Sequence, residues 1–168
     1  MSEAVGLQAR ESEVADGGCA AGLDLGLIDP TGRLPNSHGP LMLCPPVALT
    51  QKDIRELQLA KGAIAAGMEI LLKLWGATPA DLKRLYLAGA FGNYVSRQSA
   101  RRIGLLNFPL EKIQPSGNTA LLGAKIALFS LNGEDGSFAS VRRRIEHVML
   151  SEDPAFQDTY VEQMSFPA

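Results

Sequence analysis

The stretch Arg84-Leu-Tyr-Leu-Ala-Gly-Ala-Phe-Gly-Asn-Tyr-Val-Ser96 decides the fold of this chain. Its first residues are apolar and typical of a short buried strand, and a turn with two glycines follows before a helix begins at Ser96. Glycine tolerates positive φ and lets a ligand approach the backbone without side-chain obstruction. The pattern predicts either a strand-to-helix turn of the kind that forms nucleotide pockets in α/β proteins or a plain tight connection.

A second glycine turn follows about one strand later. Lys112–Pro115 is predicted to be a strand, Ser116-Gly117-Asn118 a turn, and the next residues a helix that extends to Leu128. Because the carboxyl ends of parallel strands meet at one edge of a sheet, we expect both turns at the same edge, where ligands bind in open α/β sheets. The first turn matches neither the P-loop nor the dinucleotide-binding fingerprint.

The longest predicted element is a helix that begins after Thr50. Thr50 and Asp53 form a capping-box pattern, and Gly76 supplies a stop after Trp75. Its larger apolar residues share one helical stripe. That stripe consists of Leu57, Ile64, Met68, Leu71 and Trp75.

Two polar residues, Gln58 and Lys61, also share a face of this helix, because they lie three positions apart. A lysine and an amide on one face can hold ribose hydroxyls or the edge of a base. The same pair is also compatible with ordinary surface decoration.

The remaining elements alternate between helix and strand, which indicates an α/β layer structure. Capping and apolar patterns predict a short helix from Thr78, a helix from Ser96 to Ile103, a helix near Phe138–Arg144, a strand near Glu146–Leu150 and a final helix from Pro154 to about Met164.

Residues 1–48 lack a periodic apolar face and are rich in glycine and proline, so a poorly ordered or partial segment is expected there, followed by a lobe over residues 49–168. One helical turn is predicted near Cys19–Leu27 and a turn at Asp29–Gly32. The sequence Asp24-Leu25-Gly26 matches the Asp-x-Gly of phosphate-binding hairpins, but no strand precedes it, so that interpretation is rejected.

Composition narrows the function classes. The 168 residues are 46% hydrophobic and 20% charged with a net charge of −2, which favours a soluble domain and offers no positive field for nucleic acid. No membrane span or secretory signal is found, so a cytoplasmic location is expected. Two cysteines, Cys19 and Cys44, cannot supply the four ligands of an iron–sulfur cluster, and their role stays open. The residues show neither a catalytic constellation nor a set of metal ligands.

Four stretches in order resemble one known family: Thr50–Lys61, Tyr86–Tyr94, Ser99–Leu106, and Gly117-Asn118 together with Gly123–Lys125. They are similar to the C-terminal part of the ATPase domain of reductive activators of corrinoid proteins. These are ferredoxin-linked members of the actin, sugar-kinase and heat-shock-chaperone superfamily. The resemblance covers about residues 50–166. It implies a partial actin-like, ribonuclease-H-like ATPase lobe with a short, mostly parallel sheet flanked by helices.

The resemblance also implies roles for particular residues. Such proteins couple ATP hydrolysis to reduction of a corrinoid cofactor through an iron–sulfur domain. The adenosine-binding motif would fall on Gly89, Ala90, Gly92 and Asn93, while Lys61 and Gln58 would contact the ribose or base. Gly117 and Asn118 would belong to the motif at the hinge between lobes.

Two departures from the family limit what the resemblance implies. The sequence contains neither of the aspartate-bearing phosphate loops that hold Mg²⁺ and the phosphates, and no ferredoxin domain. We therefore expect ATP or ADP binding without ATP hydrolysis by this chain alone. The alternative is a non-catalytic interaction module or a remnant domain of the same fold.

Three partners are open at this point. They are a corrinoid protein, a missing N-terminal half with its ferredoxin domain, and a second copy of the chain. A second copy is considered because half of a two-lobed fold exposes apolar surface. The stripe from Leu57 to Trp75 is a candidate for that exposed surface.

Overall fold

The computed structural model describes residues 14–34, 39–89, 94–130 and 137–168. Helices and short strands alternate along most of the chain, as the sequence pattern predicts. The elements in order are a helix at 14–24, β1 (Leu41–Cys44), β2 (Val47–Leu49), the long helix (Gln51–Trp75), β3 (Leu85–Ala88), the helix Arg97–Arg102, a 3₁₀ turn (Leu110–Lys112), β4 (Ile113–Gly117), the helix Thr119–Ser130, the helix Ser137–Arg143, a 3₁₀ turn (Leu150–Glu152) and the C-terminal helix (Phe156–Met164).

The strands form two separate two-stranded sheets in the described part of the chain. β1 and β2 pair in an antiparallel hairpin, which the sequence did not predict. β3 and β4 pair in parallel, with Leu85 opposite Ile113 and Ala88 opposite Gly117. A parallel pair needs a crossover between its strands, and the chain supplies it with the segment that contains the helix Arg97–Arg102.

The hydrophobic core lies between the helix at 14–24, the start of the long helix, the crossover and one face of β3–β4. Ile54 and Ile103 are fully buried at its centre. Leu85 and Leu87 pack against it from β3. The other buried apolar residues that belong to this core are Cys19, Ala20, Leu23, Ile28, Leu49, Val95, Ala100, Leu105, Leu106, Phe108, Ile113 and Phe166.

Both ends of the long helix follow the sequence prediction. The Asp53 N–H donates to the Thr50 hydroxyl, and the Thr50 N–H donates to the Asp53 carboxylate at 2.8 Å, so the capping box is complete. Gly76 ends the helix in the left-handed conformation with φ +70°. Glycine adopts this conformation without the steric cost that a side chain would add.

The apolar stripe of the long helix, which the sequence offered as a candidate for exposed surface, lies mostly outside the core. Leu57 and Met68 reach only the margin of the core, while Ile64, Leu71 and Trp75 are exposed. The buried face carries small and polar residues instead, because this side packs closely against the chain near the C-terminus. The residues of the long helix that are buried are Ile54, Gln58, Lys61, Gly62, Ala66, Gly67 and Ile70.

Close helix packing explains the two glycines inside the long helix. A Cβ at Gly62 would lie 3.1 Å from Met164 Cγ and 3.3 Å from the Tyr160 carbonyl oxygen. A Cβ at Gly67 would lie 3.1 Å from a methyl group of Leu150. The C-terminal helix and the 3₁₀ turn before it therefore approach to a distance that only a residue without a side chain allows without adjustment.

Two predicted elements are absent from the described residues. Thr78 and Asp81 make the expected capping contacts, but these contacts close only a turn, and no helix follows it. Residues 145–149 are irregular rather than a strand, because no neighbouring strand pairs with them in the described chain.

The N-terminal part is more ordered than a single helical turn. Residues 14–24 are helical, and Cys19 and Leu23 from this helix are buried in the core. The predicted turn at Asp29 is confirmed, because the Gly32 N–H donates to the Asp29 carbonyl at 2.8 Å. Asp24 closes a helix and pairs with Arg102, so it lies in no phosphate-binding hairpin. No helix in the described ranges combines the length and apolar character needed to cross a bilayer.

Candidate functional site

The two glycine turns lie at the same edge of the parallel sheet, as the sequence predicts. Ala88 at the end of β3 is paired with Gly117 at the end of β4, and Gly89 follows Ala88 directly. The carboxyl ends of both strands therefore meet at one edge, which is where open α/β sheets bind ligands. Ala90, Gly92 and Asn93 of the predicted motif lie outside the described residues.

The backbone at this edge is open. Gly89 has φ +85° and Gly117 has φ +63°, both in the left-handed region. Among the residues that the structure describes, no atom lies within 4 Å of a Cβ built at either position. The sheet edge therefore presents bare main chain to a space that a ligand can enter, which is the property that glycine gives to nucleotide-binding turns.

Asn118 joins this edge to the helix Thr119–Ser130. Its side-chain oxygen accepts a hydrogen bond from the Leu121 N–H at 2.9 Å, and its carbonyl oxygen accepts from the Leu122 N–H at 3.1 Å. Asn118 is therefore the cap of that helix, and its amide oxygen already has a partner. The helix places its positive N-terminal end at the sheet edge, where it favours a negatively charged or polar group.

Gln58 and Lys61 come together, but in contact with the C-terminal segment Met164–Phe166. The Gln58 amide donates to the Thr31 carbonyl at 3.0 Å and to the Met164 carbonyl at 3.2 Å. The Lys61 ammonium donates to the Ser165 carbonyl. Both side chains are buried, and their described partners are carbonyl groups of the chain itself.

Lys61 is the most buried charged side chain of the described chain, with 1% of its surface exposed. Its ammonium lies 5.4 Å from the centre of the Phe166 ring, which adds a cation–π contact to the hydrogen bond. No described carboxylate pairs with it. Burial lowers the pKa of Lys61 to about 8, because removal from water disfavours the charged form.

Sequence reasoning missed the role of the C-terminal segment as the partner of these residues. The Phe166 N–H donates to the Pro30 carbonyl at 2.8 Å, and Arg102 donates to the Pro167 carbonyl at 2.9 Å. Gly104 has φ +76°, and a Cβ there would lie 3.0 Å from Pro167 and 3.2 Å from Lys61 Nζ. The one signal in the sequence is Gly104, which directly follows the helix predicted from Ser96 to Ile103 and is equally typical of a helix stop.

A second cleft, which sequence reasoning also missed, lies between the turn at Thr31 and the start of the long helix. It has a volume of about 880 Å³ and carries three cationic side chains, from Arg33, Lys52 and Arg55, against one carboxylate, Glu56. Lys52 and Glu56 form an exposed ion pair at 3.6 Å. The spacing of Lys52 and Arg55 places them on one helical face and could have indicated this cleft.

The described residues contain no metal-binding site. No group of three or more His, Cys, Asp and Glu side chains lies close enough there to share an ion. The polar groups that the sheet edge offers are main-chain N–H groups and the end of a helix dipole, which bind a ligand without donating or accepting a proton in a reaction.

A family model described as the C-terminal domain of RACo, the ASKHA domain, matches residues 42–168. The chain belongs to this family. Its members share the actin-like ATPase fold, so the α/β class and the identity of the lobe are confirmed. The hairpin β1–β2, from Leu41 to Leu49, lies almost wholly inside the matched region, which therefore begins earlier than the resemblance at Thr50.

Two curated relatives have names that refer to corrinoids, one as an activation enzyme and the other as a corrinoid protein reductase. The corrinoid activation enzyme RamQ of Eubacterium limosum is 39% identical over 124 residues, which are 71% of this chain and 20% of that protein. The [Co(II) methylated amine-specific corrinoid protein] reductase of Methanosarcina barkeri is 33% identical over 148 residues, which are 88% of this chain and 27% of that protein.

A solved structure, of a reductive activator for corrinoid, iron-sulfur protein, superimposes with a TM-score of 0.72 at 26% identity. The match covers 88% of this chain and 27% of that one. The ASKHA-domain chain described here thus spans between a fifth and somewhat more than a quarter of the proteins it matches.

Proposed function

We propose that this chain is the adenosine-binding C-terminal portion of an ATP-dependent reductive activator of corrinoid proteins. The observation that carries the proposal is the open sheet edge, where Gly89 and Gly117 expose bare backbone side by side at the ends of two parallel strands. The names of the curated relatives support the corrinoid part, since one activates and the other reduces a corrinoid protein. A corrinoid protein is accordingly the proposed partner, and methyltransferase activation and a cytoplasmic location belong to the same proposal.

The residues at the sheet edge fit an adenosine group. The glycines leave room where side chains would otherwise stand, and the N-terminus of the helix Thr119–Ser130 adds main-chain donors. In this proposal Gly117 and Asn118 contact the adenosine group together with Gly89, and Ala90, Gly92 and Asn93 belong to the same motif by resemblance alone, since they lie outside the described residues. Asn118 contributes by fixing the helix rather than by a free amide oxygen.

Gln58 and Lys61 fit the adenosine group less well. Their donors are directed at carbonyl groups of the chain, and both side chains are buried. A direct contact with ribose would require the segment around Ser165 to move. We therefore propose that they support the site by holding the C-terminal segment against the long helix.

Hydrolysis of ATP is not proposed for the chain alone. Phosphoryl transfer requires Mg²⁺ and donors that stabilise charge on the transferred group, and these come from aspartate-bearing loops that the sequence does not contain. The proposed activity therefore also requires those loops and an iron–sulfur domain.

Binding of ATP and ADP by isothermal titration calorimetry tests the proposal. The variants Gly89→Leu and Gly117→Leu place a side chain in the open space at the edge, and both should abolish binding. Gly26→Leu is the matched control, because Gly26 has φ +67° and equally open surroundings in a surface turn. It carries the same backbone strain, so it should bind as the unaltered chain does.

A second candidate function is a non-catalytic interaction module of the same fold. The exposed apolar residues of the helix Thr119–Ser130 favour it, because a surface of that kind is typical of a protein interface. A folded chain that gives no heat with either nucleotide, but binds a partner protein, would replace the first proposal with this one.

A further inference from the structure

A cleft with a positively charged lining lies between the turn at Thr31 and the start of the long helix, outside the adenosine site proposed above. Its volume of about 880 Å³ is in the range of small-molecule pockets, which is roughly 300–1,000 Å³. Leu34 is the one apolar side chain among the described residues that line it, and neither Gly89 nor Gly117 is part of the lining. The cleft is therefore suited to a polar ligand rather than an apolar one.

Cationic side chains reach this cleft from two different elements. Arg33 belongs to the turn, whereas Lys52 and Arg55 belong to the first turns of the long helix. Glu56 is the one carboxylate of the described lining, and it pairs with Lys52 at 3.6 Å. Among the described residues no carboxylate forms an ion pair with Arg33 or Arg55, so both guanidinium groups are available to an anion.

Two further carboxylates lie beside the cleft, and both are already engaged. Asp29 accepts from the Thr31 hydroxyl at 2.6 Å and from the Arg33 main-chain N–H at 3.0 Å. Asp53 accepts from the Thr50 hydroxyl at 2.7 Å and from the Thr50 N–H at 2.8 Å. These carboxylates weaken the positive potential of the cleft, but an anion that binds there does not have to displace them from a guanidinium group.

Amide side chains hold the two sides of the cleft together. The Gln51 amide donates to the Gly32 carbonyl at 2.6 Å and accepts from the Leu34 N–H at 3.1 Å, which ties the turn to the start of the helix. Gly32 has φ +82°, and a Cβ there would lie 2.5 Å from the Gln58 amide, so glycine allows this close approach. The two sides are therefore fixed relative to each other before a ligand binds, which reduces the entropy cost of binding.

Gln58 adds a hydrogen-bond acceptor to the lining. The residue is 4% exposed, and its amide nitrogen donates to the Thr31 and Met164 carbonyls, which identifies the other end of the amide as the oxygen. No described group donates to that oxygen, and it keeps contact with solvent. Because Gln58 lines the cleft, a hydroxyl group of a ligand there can supply the missing hydrogen bond.

We propose that the cleft binds a small phosphate ester that carries alcohol hydroxyl groups. Arginine presents a planar fork of N–H donors that matches phosphate oxygens, and Arg33 and Arg55 offer two such forks from different elements. A phosphate monoester carries a charge of about −1.5 to −2 at neutral pH, which balances three cations and one carboxylate. The Gln58 oxygen favours an ester with a hydroxyl group over free phosphate. This site goes beyond the adenosine site, since it requires neither a base nor the sheet edge.

Isothermal titration calorimetry of the full chain with glycerophosphate tests the proposal, at low ionic strength because salt screens exposed charges. Inorganic phosphate and succinate are the comparison ligands. We expect glycerophosphate to bind at least about threefold more tightly than inorganic phosphate, which is the effect of one additional hydrogen bond. Succinate should bind more weakly than either, because its charges lie on two separate carboxylates.

Three substitutions locate the site. Arg33→Gln and Arg55→Gln should each weaken glycerophosphate binding roughly tenfold or more, because a hydrogen bond between charged groups is lost. Arg142→Gln is the matched control, since it removes the same charge from an exposed arginine of the helix Ser137–Arg143, outside the lining. It should leave the affinity unchanged. Circular dichroism of the three variants establishes that each is folded.

Three outcomes would overturn the proposal. The first is no saturable binding of glycerophosphate by the folded chain. The second is an Arg142→Gln variant that weakens binding as much as Arg33→Gln and Arg55→Gln do. The third is inorganic phosphate or succinate that binds as tightly as glycerophosphate.

The two proposed sites are separated by titrations of the same variants with ATP. Gly89→Leu and Gly117→Leu should abolish ATP binding and leave glycerophosphate binding unchanged. ATP binding without glycerophosphate binding removes only the cleft site, and the reverse result removes only the adenosine site. Loss of both ligands in the glycine and arginine variants alike would indicate a single site and would overturn the second one.

Discussion

The long-helix half and the sheet half of this molecule differ in which side chains they bury and which they expose. In the first, the long helix packs against the C-terminal helix with Gln58, Lys61 and two glycines inside the contact. In the second, Tyr86 of β3 and the leucine, isoleucine and phenylalanine side chains of the helix Thr119–Ser130 are exposed. The first half thus buries polar groups, and the second exposes apolar ones.

The difference follows from what each half has as a partner. In the long-helix half, main-chain carbonyls of Met164 and Ser165 accept hydrogen bonds from the buried polar groups, so these groups keep partners away from water. In the sheet half, no described element covers the apolar helix. The buried polar groups of the long helix therefore have their partners within this chain, although Ile64, Leu71 and Trp75 of the same helix are exposed, whereas the sheet half has the character of one side of an interface.

The largest expected effect is a difference in unfolding free energy between the same Ile→Ala substitution made once in each half. Ile54→Ala removes a fully buried side chain from the long helix, and Ile126→Ala removes a mostly exposed one from the helix Thr119–Ser130. We expect Ile54→Ala to lower the free energy of unfolding by about 2–5 kcal/mol, because the shorter side chain buries less apolar surface and leaves a cavity in the core. Ile126→Ala should change it by roughly 0.5 kcal/mol at most. Urea unfolding of both variants measures this, and equal losses would show that the sheet half is packed after all.

The second effect is a pH dependence specific to the long-helix half. The pKa of Lys61 is lowered by burial to about 8 from its ordinary value of 10.5. Below the folded-state pKa both states are charged, and the full cost of burying the charge is present. Between the two values the unfolded state binds more protons, so stability rises with pH. Relative to Lys61→Met, the unaltered chain should gain up to about 3 kcal/mol between about pH 7 and about pH 10.5.

The control for this prediction is Lys125→Met, which removes an exposed lysine from the sheet half. Its unfolding free energy should follow the same pH profile as that of the unaltered chain. If the profile of Lys61→Met also ran parallel to that of the unaltered chain, the Lys61 ammonium would not be buried in solution.

The smallest effect is a difference in alkylation between the two cysteines, which tests whether Cys19 is buried in the core. Burial, followed by the nearby carboxylates of Asp16 and Asp53, raises the pKa of Cys19 to about 12, whereas Cys44 is exposed on the hairpin. Iodoacetamide should alkylate Cys44 in the folded chain and leave Cys19 intact, because almost no thiolate forms at Cys19 near neutral pH. Mass spectrometry of the peptides measures this, with urea-denatured chain as the control in which both react. Alkylation of both cysteines in the folded chain would contradict the packing around the helix at 14–24.

Local signals predicted the helices and the sheet edge well. The capping pair Thr50 and Asp53 and the stop at Gly76 fixed the long helix, because caps depend on residues within a few positions of each other. The same holds for Ser96 before the helix Arg97–Arg102 and for the glycines at the ends of β3 and β4. The placement of Gly89 and Gly117 at one edge also followed, since parallel strands align their ends.

The buried face of the long helix and its partner were not predicted. The periodicity of the long helix showed a stripe with Ile64, Leu71 and Trp75, which is exposed, but it did not show that the side with Gly62 and Lys61 is buried. A periodic pattern shows that a helix has an apolar stripe, but it does not show which neighbour covers it. The core position of Cys19 and Leu23 was missed for a similar reason, because glycine and proline around that helix obscured its short apolar face.

The sequence by itself determined the family, the order of most elements and the two glycine turns, since each depends on residues that are adjacent or a few positions apart. Only the tertiary structure decided that Gln58 and Lys61 contact the C-terminal segment and that no described element covers the helix Thr119–Ser130. Gln58 and Met164 lie 106 positions apart in the chain. Contacts over such separations depend on how elements pack, and no local pattern encodes that packing.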